Sequence, residues 1–205
     1  EFFKKLADIR HTIIITGNHD TNLNNTSRLD ALTPIIKNLN HSQLHYLKDS
    51  GVYNFGDVHF TVFSIFDEPS EYIKAKSFKA DTKIALFHGP VKSSKTDIGF
   101  EVTGDEYTAD LFKGYDLSLL GDIHKRQYVD KEKTICYPGS LIQQNFGEAF
   151  EKHGYAIWDV KTRKPKFFDI PNNYGFYTID IKNGKLPNID NIPKYPRVRL
   201  RTTNT

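Results

Sequence analysis

The sequence predicts an α/β fold, and three observations support this prediction. Short runs of β-branched and other apolar residues have the length and composition of buried strands. Segments with apolar residues at helical spacing precede and follow the first of these runs. Three of the runs end in a turn that carries Gly, Asn, His or Asp. In open α/β sheets, binding sites are assembled where strands reach their carboxyl ends, so we expect the functional groups at those turns.

The first part of the chain alternates between helix and strand patterns. Apolar spacing predicts an amphipathic helix over Glu1–Arg10, and the run Thr12–Thr16 predicts a fully buried strand. A polar loop is predicted at Thr21–Thr26. Apolar spacing then predicts a second helix over Arg28–Leu39, which we expect to break or restart at Pro34 because proline lacks a backbone N–H.

In the middle of the chain, the hydrophobic period changes to two. This change predicts strands around Val58–Phe66, after a turn at Asn54–Asp57. Two further buried strands are predicted at Lys83–Phe87 and Leu117–Leu120. The other predictions for this region are a short helix at Glu71–Ala75, a polar loop at Val91–Thr103 and a helix at Asp110–Tyr115.

Beyond Gln127 the sequence is rich in strand patterns. Strands are predicted at Thr134–Tyr137, Tyr155–Val160, Lys166–Ile170, Phe176–Ile181 and Arg197–Arg201, the second and third forming a hairpin. The prolines and glycine of Asn183–Pro196 are typical of a linker. We therefore expect one domain over residues 1–182, and over 183–205 a linker and the start of a second, capping unit.

Composition limits the class of protein. A chain of 205 residues suits one main domain. Its only cysteine, Cys136, argues against a disulfide scaffold and for a reducing, intracellular compartment, either cytoplasmic or nucleoid-associated. No apolar run reaches the ~20 residues that a membrane span needs. The net charge of +3 permits a polyanionic partner. Because the chain begins with Glu1 and contains no Met, we expect it to be a fragment of a longer protein.

The strongest functional signal is the turn Gly17-Asn18-His19-Asp20, which follows the first predicted strand. Asn offers a neutral oxygen to a hard cation, His can move a proton near neutral pH, and Asp can hold an imidazole in one tautomer. Two later strands end in His88-Gly89-Pro90 and in Gly121-Asp122-Ile123-His124. Together the three turns predict a metal-assisted hydrolase.

In the order and spacing of these turns the sequence resembles the calcineurin-like metallophosphoesterases. Within them it is most similar to the nuclease subunit of SbcD-type double-strand-break repair complexes, including the viral and phage recombination-endonuclease branch. The run Leu119–Gln127 and the turn Tyr137–Ser140 match as well. The resemblance covers roughly Leu6–Val160, and its motifs are specific as a set although each is weak alone.

The resemblance implies a four-layer α/β/β/α sandwich with two divalent ions, Mn²⁺ or otherwise Mg²⁺, that activate water for attack on a phosphodiester. Asn18, His88 and Asp122 would hold one ion, and His124 would help to hold the other. His19 would contact the scissile phosphate and protonate the leaving oxygen, with Asp20 orienting it. Lys125 and Arg126, next to the site, could meet DNA phosphates. The implied partners are DNA and an SbcC-type coiled-coil ATPase, with a possible homodimer formed through helices between Arg28 and Leu47, and no membrane.

The sequence departs from the family pattern in two ways. Most relatives have His at the position of Asp122, although a carboxylate is also a competent ligand for Mn²⁺ or Mg²⁺. The family's first two motifs, an Asp-x-His turn and a Gly-Asp turn with the metal-bridging carboxylate, are expected before Glu1. Asp57-Val58-His59 matches the first as a string but lies in an alternating strand pattern, so we do not assign it that role. The fragment is therefore expected to be inactive alone.

Ordinary structural explanations exist for each residue and stay open. Asn18 could cap a turn, and His88 could be a hydrogen-bonded core histidine. Ser140 is interpreted as a turn residue, and the stripe Arg197, Arg199 and Arg201 as surface charge or a phosphate contact. Two alternative functions also remain: a phosphoprotein phosphatase or small-molecule phosphodiesterase of the same fold, and a non-catalytic DNA-binding or assembly module.

Overall fold

A computed structural model describes residues 1–25, 27–150 and 152–203. Over these ranges it contains two α-helices, α1 (Phe2–Ile9) and α2 (Leu32–Leu39). The strands are β1 (Thr12–Ile14), β2 (Leu44–Tyr46), β3 (Gly51–Phe55), β4 (Val58–Phe63), β5 (Thr82–His88), β6 (Leu117–Gly121), β7 (Gln127–Tyr128), β8 (Ile135–Tyr137), β9 (Gly154–Asp159), β10 (Lys164–Asp169), β11 (Tyr174–Lys182) and β12 (Tyr195–Thr203). The fold is mixed α/β with few helices.

A six-stranded mixed sheet, in the order β3-β4-β5-β6-β8-β7, forms the centre of the molecule. Strands β4, β5, β6 and β8 run parallel, whereas β3 and β7 pair antiparallel at the two edges. The carboxyl ends of the four parallel strands therefore lie along one edge of the sheet. His88 ends β5 and is the register partner of Gly121, which ends β6.

The first strand belongs to a separate two-stranded parallel sheet formed by β1 and β2. Backbone and hydroxyl hydrogen bonds connect this pair to the six-stranded sheet. The Ser64 hydroxyl, just after β4, donates to the Lys48 carbonyl at 2.7 Å, and the Ser64 amide donates to the Ser50 hydroxyl at 2.9 Å. These bonds attach the segment that follows β2 to the carboxyl end of β4.

An aromatic core lies on one face of the six-stranded sheet, under the long connections between its parallel strands. Phe63 stacks on Tyr72 with ring centroids 4.7 Å apart and on Phe112 at 5.6 Å. Phe87 and Tyr115 complete this cluster, and all five rings are buried. Burying such rings contributes several kcal/mol in total. The packing stabilises the strands whose ends carry the polar turns.

Several predicted elements are confirmed, and others differ for identifiable reasons. The first helix and the buried strands at 82–88 and 117–121 are present, as is the β9–β10 hairpin. Strand β1 is half-buried along its length rather than fully buried, and it ends at Ile14. The second helix begins at Leu32 and continues through Pro34, because Pro34 lies in the first helical turn, where its missing N–H loses no bond.

The predicted helices at 71–75 and 110–115 are wrong in type. The structure has 3₁₀ turns at Pro69–Glu71, Ala75–Ser77 and Ala109–Phe112. The predicted turn at 54–57 is shorter than expected because Asn54 and Phe55 belong to β3. The segment predicted as a linker separates β11 from β12, which pair in parallel as a further two-stranded sheet. Residues 204 and 205 of the predicted second unit lie outside the described residues, and the boundary at 182 stays a prediction.

Within the described ranges, no helix combines the length and apolar character that a bilayer crossing demands. Between Arg28 and Leu47, where more than one helix was expected, α2 is followed by the short strand β2. Dimerisation through this region stays a prediction.

A buried carboxylate, Asp30, anchors the start of α2 to β2. It accepts hydrogen bonds from the Thr33 amide at 2.7 Å, from the Tyr46 hydroxyl at 3.0 Å and from the Lys48 ammonium at 2.9 Å. Its side chain is 0% exposed. Burial by itself would raise the pKa of Asp30, but the hydrogen bonds that it accepts outweigh burial and hold this pKa well below its usual range.

We predict that Asp30→Asn lowers the free energy of unfolding by about 3 kcal/mol at pH 7, because it leaves Lys48 facing a neutral group. A carboxylate with a lowered native pKa stabilises the fold above its unfolded pKa of about 3.9 and loses that effect as the pH falls. Urea unfolding should therefore show the difference between native and variant protein shrinking below about pH 4.

The matched control is Asp57→Asn, at an exposed position of the β3–β4 turn. It should change the unfolding free energy by no more than about 0.5 kcal/mol. An equal loss of stability in both variants would contradict the role given to Asp30.

Candidate functional site

Three side chains from two different sheets meet at the edge where β1, β5 and β6 end. The Asn18 amide oxygen lies 3.1 Å from His88 Nε2, and the Asn18 amide nitrogen donates to Asp122 Oδ1 at 3.4 Å. His88 Nε2 is 3.7 Å from the same carboxylate oxygen. The sequence separations are 70 residues for the first contact and 104 for the second. The structure thus brings together the three side chains expected to hold one metal ion.

Two glycines allow this convergence. A Cβ built on Gly17 would lie 3.0 Å from His88 Cε1, and a Cβ built on Gly121 would lie 2.9 Å from His88 Nδ1. The backbones of both turns therefore pack closely against the imidazole: a side chain at Gly121 would displace the ring, and one at Gly17 would require the ring to shift by a few tenths of an ångström. Gly17 and Gly121 therefore let the backbone turn, and they also let it approach the His88 ring closely.

Asp122 has a backbone φ of +96°, which is outside the range that most residues with a side chain adopt. Such strain costs about 1–3 kcal/mol and persists where the surrounding structure imposes it. Here the Gly89 amide donates to the Gly121 carbonyl at 3.2 Å, so the ends of β5 and β6 are held side by side. The strained backbone turns the Asp122 carboxylate toward Asn18 and His88.

The electrostatics of His88 reflect this crowding. Burial lowers the pKa of His88, and the negative charges of Asp122 and Asp20 act in the opposite direction. The net pKa lies below the ordinary histidine value. A neutral imidazole with a free lone pair is the form in which histidine binds metal, so the environment favours the ligand state of His88.

The Pro138–Ser140 turn supports the loop after β6. Gly139 has a φ of +86°, and a Cβ there would lie 2.7 Å from the His124 carbonyl oxygen. The Ser140 amide donates to the same carbonyl at 3.1 Å. The Ser140 hydroxyl lies 2.9 Å from His153 Nδ1, consistent with Ser140 acting as a structural turn residue. The buried Tyr137 hydroxyl donates to the Gly89 carbonyl at 2.6 Å and so stabilises the His88 turn.

His19 and Asp20 lie in the same turn but are not hydrogen-bonded to each other in the described structure. The Asp20 carboxylate accepts from the Gly17 amide at 2.9 Å, and the Asp20 amide donates to the Gly17 carbonyl at 3.0 Å. The Asp20 carboxylate therefore stabilises the turn through the Gly17 amide, and its role in orienting the His19 ring stays a prediction. His19 is exposed to solvent, and its charge acts on His88.

His124 is paired with a residue that the sequence analysis did not identify. Its Nδ1 lies 2.8 Å from Glu148 Oε1, and the Glu148 side chain is 5% exposed whereas that of His124 is 45% exposed. Glu148 is 24 residues away in a segment without helix or strand. No spacing or periodicity connects these two residues, so sequence reasoning had no signal for the contact.

The two basic residues after His124 differ in their surroundings. Arg126 donates to Asp169 at 2.6 Å and to the Pro138 carbonyl at 3.4 Å, and its guanidinium lies 4.7 Å from the Phe167 ring centroid. Its side chain is 17% exposed and is held by these protein contacts, and its contact with a DNA phosphate stays a prediction. For Lys125 no ion pair is found within the described ranges, and its ammonium stays available.

Among the described residues, no three His, Cys, Asp or Glu side chains are grouped so that they could hold a metal ion by themselves. A metal site at this edge therefore depends on the Asn18 amide as the third donor. Two ligands about 2.1 Å from an octahedral ion and at right angles to each other are about 3 Å apart. The 3.1 Å between His88 Nε2 and the Asn18 oxygen fits this requirement, whereas the 3.7 Å between His88 Nε2 and the Asp122 oxygen is longer than it. Oxygen donors and imidazole also suit Mn²⁺ and Mg²⁺ chemically.

We predict that the pKa of His88 in the metal-free protein lies below 6.5 and falls further in Asp122→Asn. The substitution removes the negative charge that opposes the effect of burial, while Asn tolerates a positive φ. A proton NMR titration of the histidine ring resonances measures both values. Asp57→Asn should leave the titration unchanged, and a higher pKa in Asp122→Asn would contradict the assignment.

We also predict that Gly121→Ala displaces the His88 ring and destabilises the fold by about 1–3 kcal/mol, because the new methyl group overlaps Nδ1. Gly104→Ala is the control, since no atom lies within 4 Å of a Cβ there. Denaturant unfolding and the His88 ring chemical shifts report the two effects. Equal behaviour of both variants would show that the packing around His88 is not restrictive.

No protein-family model matches the chain. The chain is similar to Uncharacterized protein R555 of Acanthamoeba polyphaga mimivirus, with 42% identity over 213 aligned residues. The alignment covers 100% of the chain and 16% of that protein, so the chain spans about a sixth of its relative's length. The description of this relative names no function.

Proposed function

We propose that this chain is most of a metal-dependent phosphodiester hydrolase, acting on DNA as the nuclease subunit of a recombination and double-strand-break repair system. The single observation that carries the proposal is the meeting of Asn18, His88 and Asp122 from two sheets within 3.1–3.7 Å. An amide oxygen, an imidazole and a carboxylate beside an exposed histidine are the groups that such chemistry requires.

The proposal includes a calcineurin-like metallophosphoesterase architecture of four layers. Two sheets with strand ends directed at one edge support it, and α1 and α2 both contact the β1–β2 sheet. In the proposed arrangement, these helices form one outer layer. The connections of the six-stranded sheet, which bury the aromatic core, form the other.

Two divalent ions are the proposed cofactors, with Mn²⁺ preferred over Mg²⁺. Asn18, His88 and Asp122 would hold one ion, and His124 would contribute to the second. When bound, they would supply Lewis acidity and a water of lowered pKa for attack on the phosphodiester. Asp122, where most of the resembled proteins have His, adds a hard oxygen donor that suits either cation.

The remaining roles fall to this chain's own groups. His19, exposed next to the donor set, would donate its imidazolium proton to the leaving oxygen of the cleaved phosphodiester. Asp20 would keep the turn rigid through the Gly17 amide and so hold His19 in place. Lys125 would contact a DNA phosphate, since its ammonium is unpaired in the described structure.

The proposed partners are DNA, an SbcC-type coiled-coil ATPase and a second copy of the subunit, in an intracellular setting. A coiled-coil ATPase partner would supply the nucleotide hydrolysis for which this sequence has no Gly-rich phosphate loop. Burial raises the pKa of the Cys136 thiol to about 12 and keeps the thiol unreactive.

Two alternative functions remain, and each has its own argument. The same donor set could serve a phosphoprotein phosphatase or a small-molecule phosphodiesterase, because nothing in its geometry selects the ester. A non-catalytic DNA-binding or assembly module is favoured by the lack of a third acidic or histidine ligand within the described residues.

We predict that His19→Ala in the natural full-length protein abolishes Mn²⁺-dependent DNA cleavage, a loss of at least about a hundredfold, and leaves Mn²⁺ binding largely intact. His88→Ala should remove both cleavage and binding at one ion. Cleavage of labelled DNA and calorimetric titration with Mn²⁺ measure the two effects.

His59→Ala is the control, because His59 lies near the amino end of β4 and not at the carboxyl ends of the strands, where the donor set lies. Retained cleavage in His19→Ala would remove His19 from its role as proton donor. Hydrolysis of a small phosphodiester without DNA cleavage would favour the second function, and absence of Mn²⁺ binding in the wild type would favour the third.

A further inference from the structure

Outside the donor set formed by Asn18, His88 and Asp122, a second hydrogen-bonded group of polar side chains surrounds Glu148. Its Oε1 accepts from His124 Nδ1 at 2.8 Å and from the Asn145 amide nitrogen at 2.6 Å. Its Oε2 accepts from the Gln144 backbone amide at 2.9 Å. Both carboxylate oxygens are thus bonded in a nearly buried position, which limits the movement of the group.

The backbone that carries Glu148 is also anchored. The Gln143 side chain donates to the Glu148 carbonyl at 2.9 Å and to the Phe176 carbonyl at 3.0 Å. It also accepts from the Phe176 amide at 2.7 Å. The loop is therefore attached to β11, and Glu148 is presented to His124 by a framework that does not depend on the histidine. A side chain that is itself held rigidly can keep a neighbouring side chain in one orientation.

His124 is bonded on one side only. Its Nδ1 faces Glu148, and for its Nε2 no partner is found in the described part of the chain. The ring, Asp122 and Glu148 line a cavity of about 250 Å³ together with residues 96–98. A carboxylate that accepts from Nδ1–H selects the tautomer in which Nε2 carries the lone pair.

We propose that Glu148 is a positioning residue that keeps the His124 proton on Nδ1 and thereby presents Nε2 as the ligand nitrogen for the second divalent ion. This inference rests on the proposed function. It assigns a role within that function to Glu148, a residue that was identified only by its contacts in the structure. Carboxylate partners of ligating histidines fix the ring orientation and raise its basicity. Glu148 needs no contact with the ion or with the substrate for this role.

The test combines a spectroscopic measurement with a binding measurement on the full-length protein. With ¹⁵N-labelled histidine, NMR above the titration range of His124 should show the Nδ1–H tautomer in the wild type. In Glu148→Gln the Nε2–H tautomer should increase, because a neutral amide accepts from Nδ1–H more weakly than a carboxylate does and can also donate to an unprotonated Nδ1. The Mn²⁺ affinity of one ion should fall about ten- to a hundredfold, while the other ion is held as before.

Glu132→Gln is the matched control, because Glu132 is exposed and lies in the turn between β7 and β8. It should change neither the tautomer nor Mn²⁺ binding. A purely structural Glu148 would lower the melting temperature in Glu148→Gln but leave the tautomer of His124 and its Mn²⁺ affinity at the wild-type values, which would overturn the inference.

The wild-type spectrum decides the matter even if Glu148→Gln fails to fold. A predominant Nε2–H tautomer of His124 would overturn the inference, and the Nδ1–H tautomer would support it. If the wild type bound no Mn²⁺, the proposed function would fail, and the tautomer would still show whether Glu148 positions His124. The two failures are therefore distinguishable.

Discussion

The close approach of two sheets around one imidazole is the constraint on which the rest of the structure depends. His88 lies between the backbones of Gly17 and Gly121, where an added Cβ would lie only 3.0 and 2.9 Å from the ring. This contact brings the end of β1, which belongs to the small sheet, against the ends of β5 and β6, which belong to the large one. Without it, Asn18 and Asp122 would not share a neighbour, and no donor set would exist.

The surrounding fold supports this contact from both sides. On the side of the small sheet, buried Asp30 holds the start of α2 against β2, and the Ala31 amide donates to the Asp20 carbonyl at 2.8 Å. On the side of the large sheet, the aromatic core fixes β4, β5 and β6, while Tyr137 and Gly139 hold the two turns that follow. The strained backbone at Asp122 is tolerated because packing and hydrogen bonds hold the ends of β5 and β6 in place.

The charges at this edge are distributed in a way that suits a cation and an anionic substrate at once. Asp122, Asp20 and Glu148 supply negative charge; Asp20 accepts from the Gly17 backbone amide, and Glu148 is bonded to His124. Lys125 lies next to them unpaired within the described ranges, whereas Arg126 is bound to Asp169 and Pro138. The Lys125 ammonium is thus available for a phosphate. Arg126 instead attaches the β9–β10 hairpin to the loop after β6.

The sequence by itself determined the features that depend on neighbours along the chain. The pattern of apolar residues was enough to predict α1, β5 and β6. The polar turns after three predicted strands, with the family resemblance, were enough to identify Asn18, His88, Asp122 and His124 as candidate site residues. Tertiary structure alone decided the partial burial of β1, the 3₁₀ turns in place of two helices, the contact of Arg126 with Asp169 and the pairing of His124 with Glu148. These depend on contacts between residues that are distant in sequence, and no local pattern encodes such contacts because each arises only when separate elements pack together.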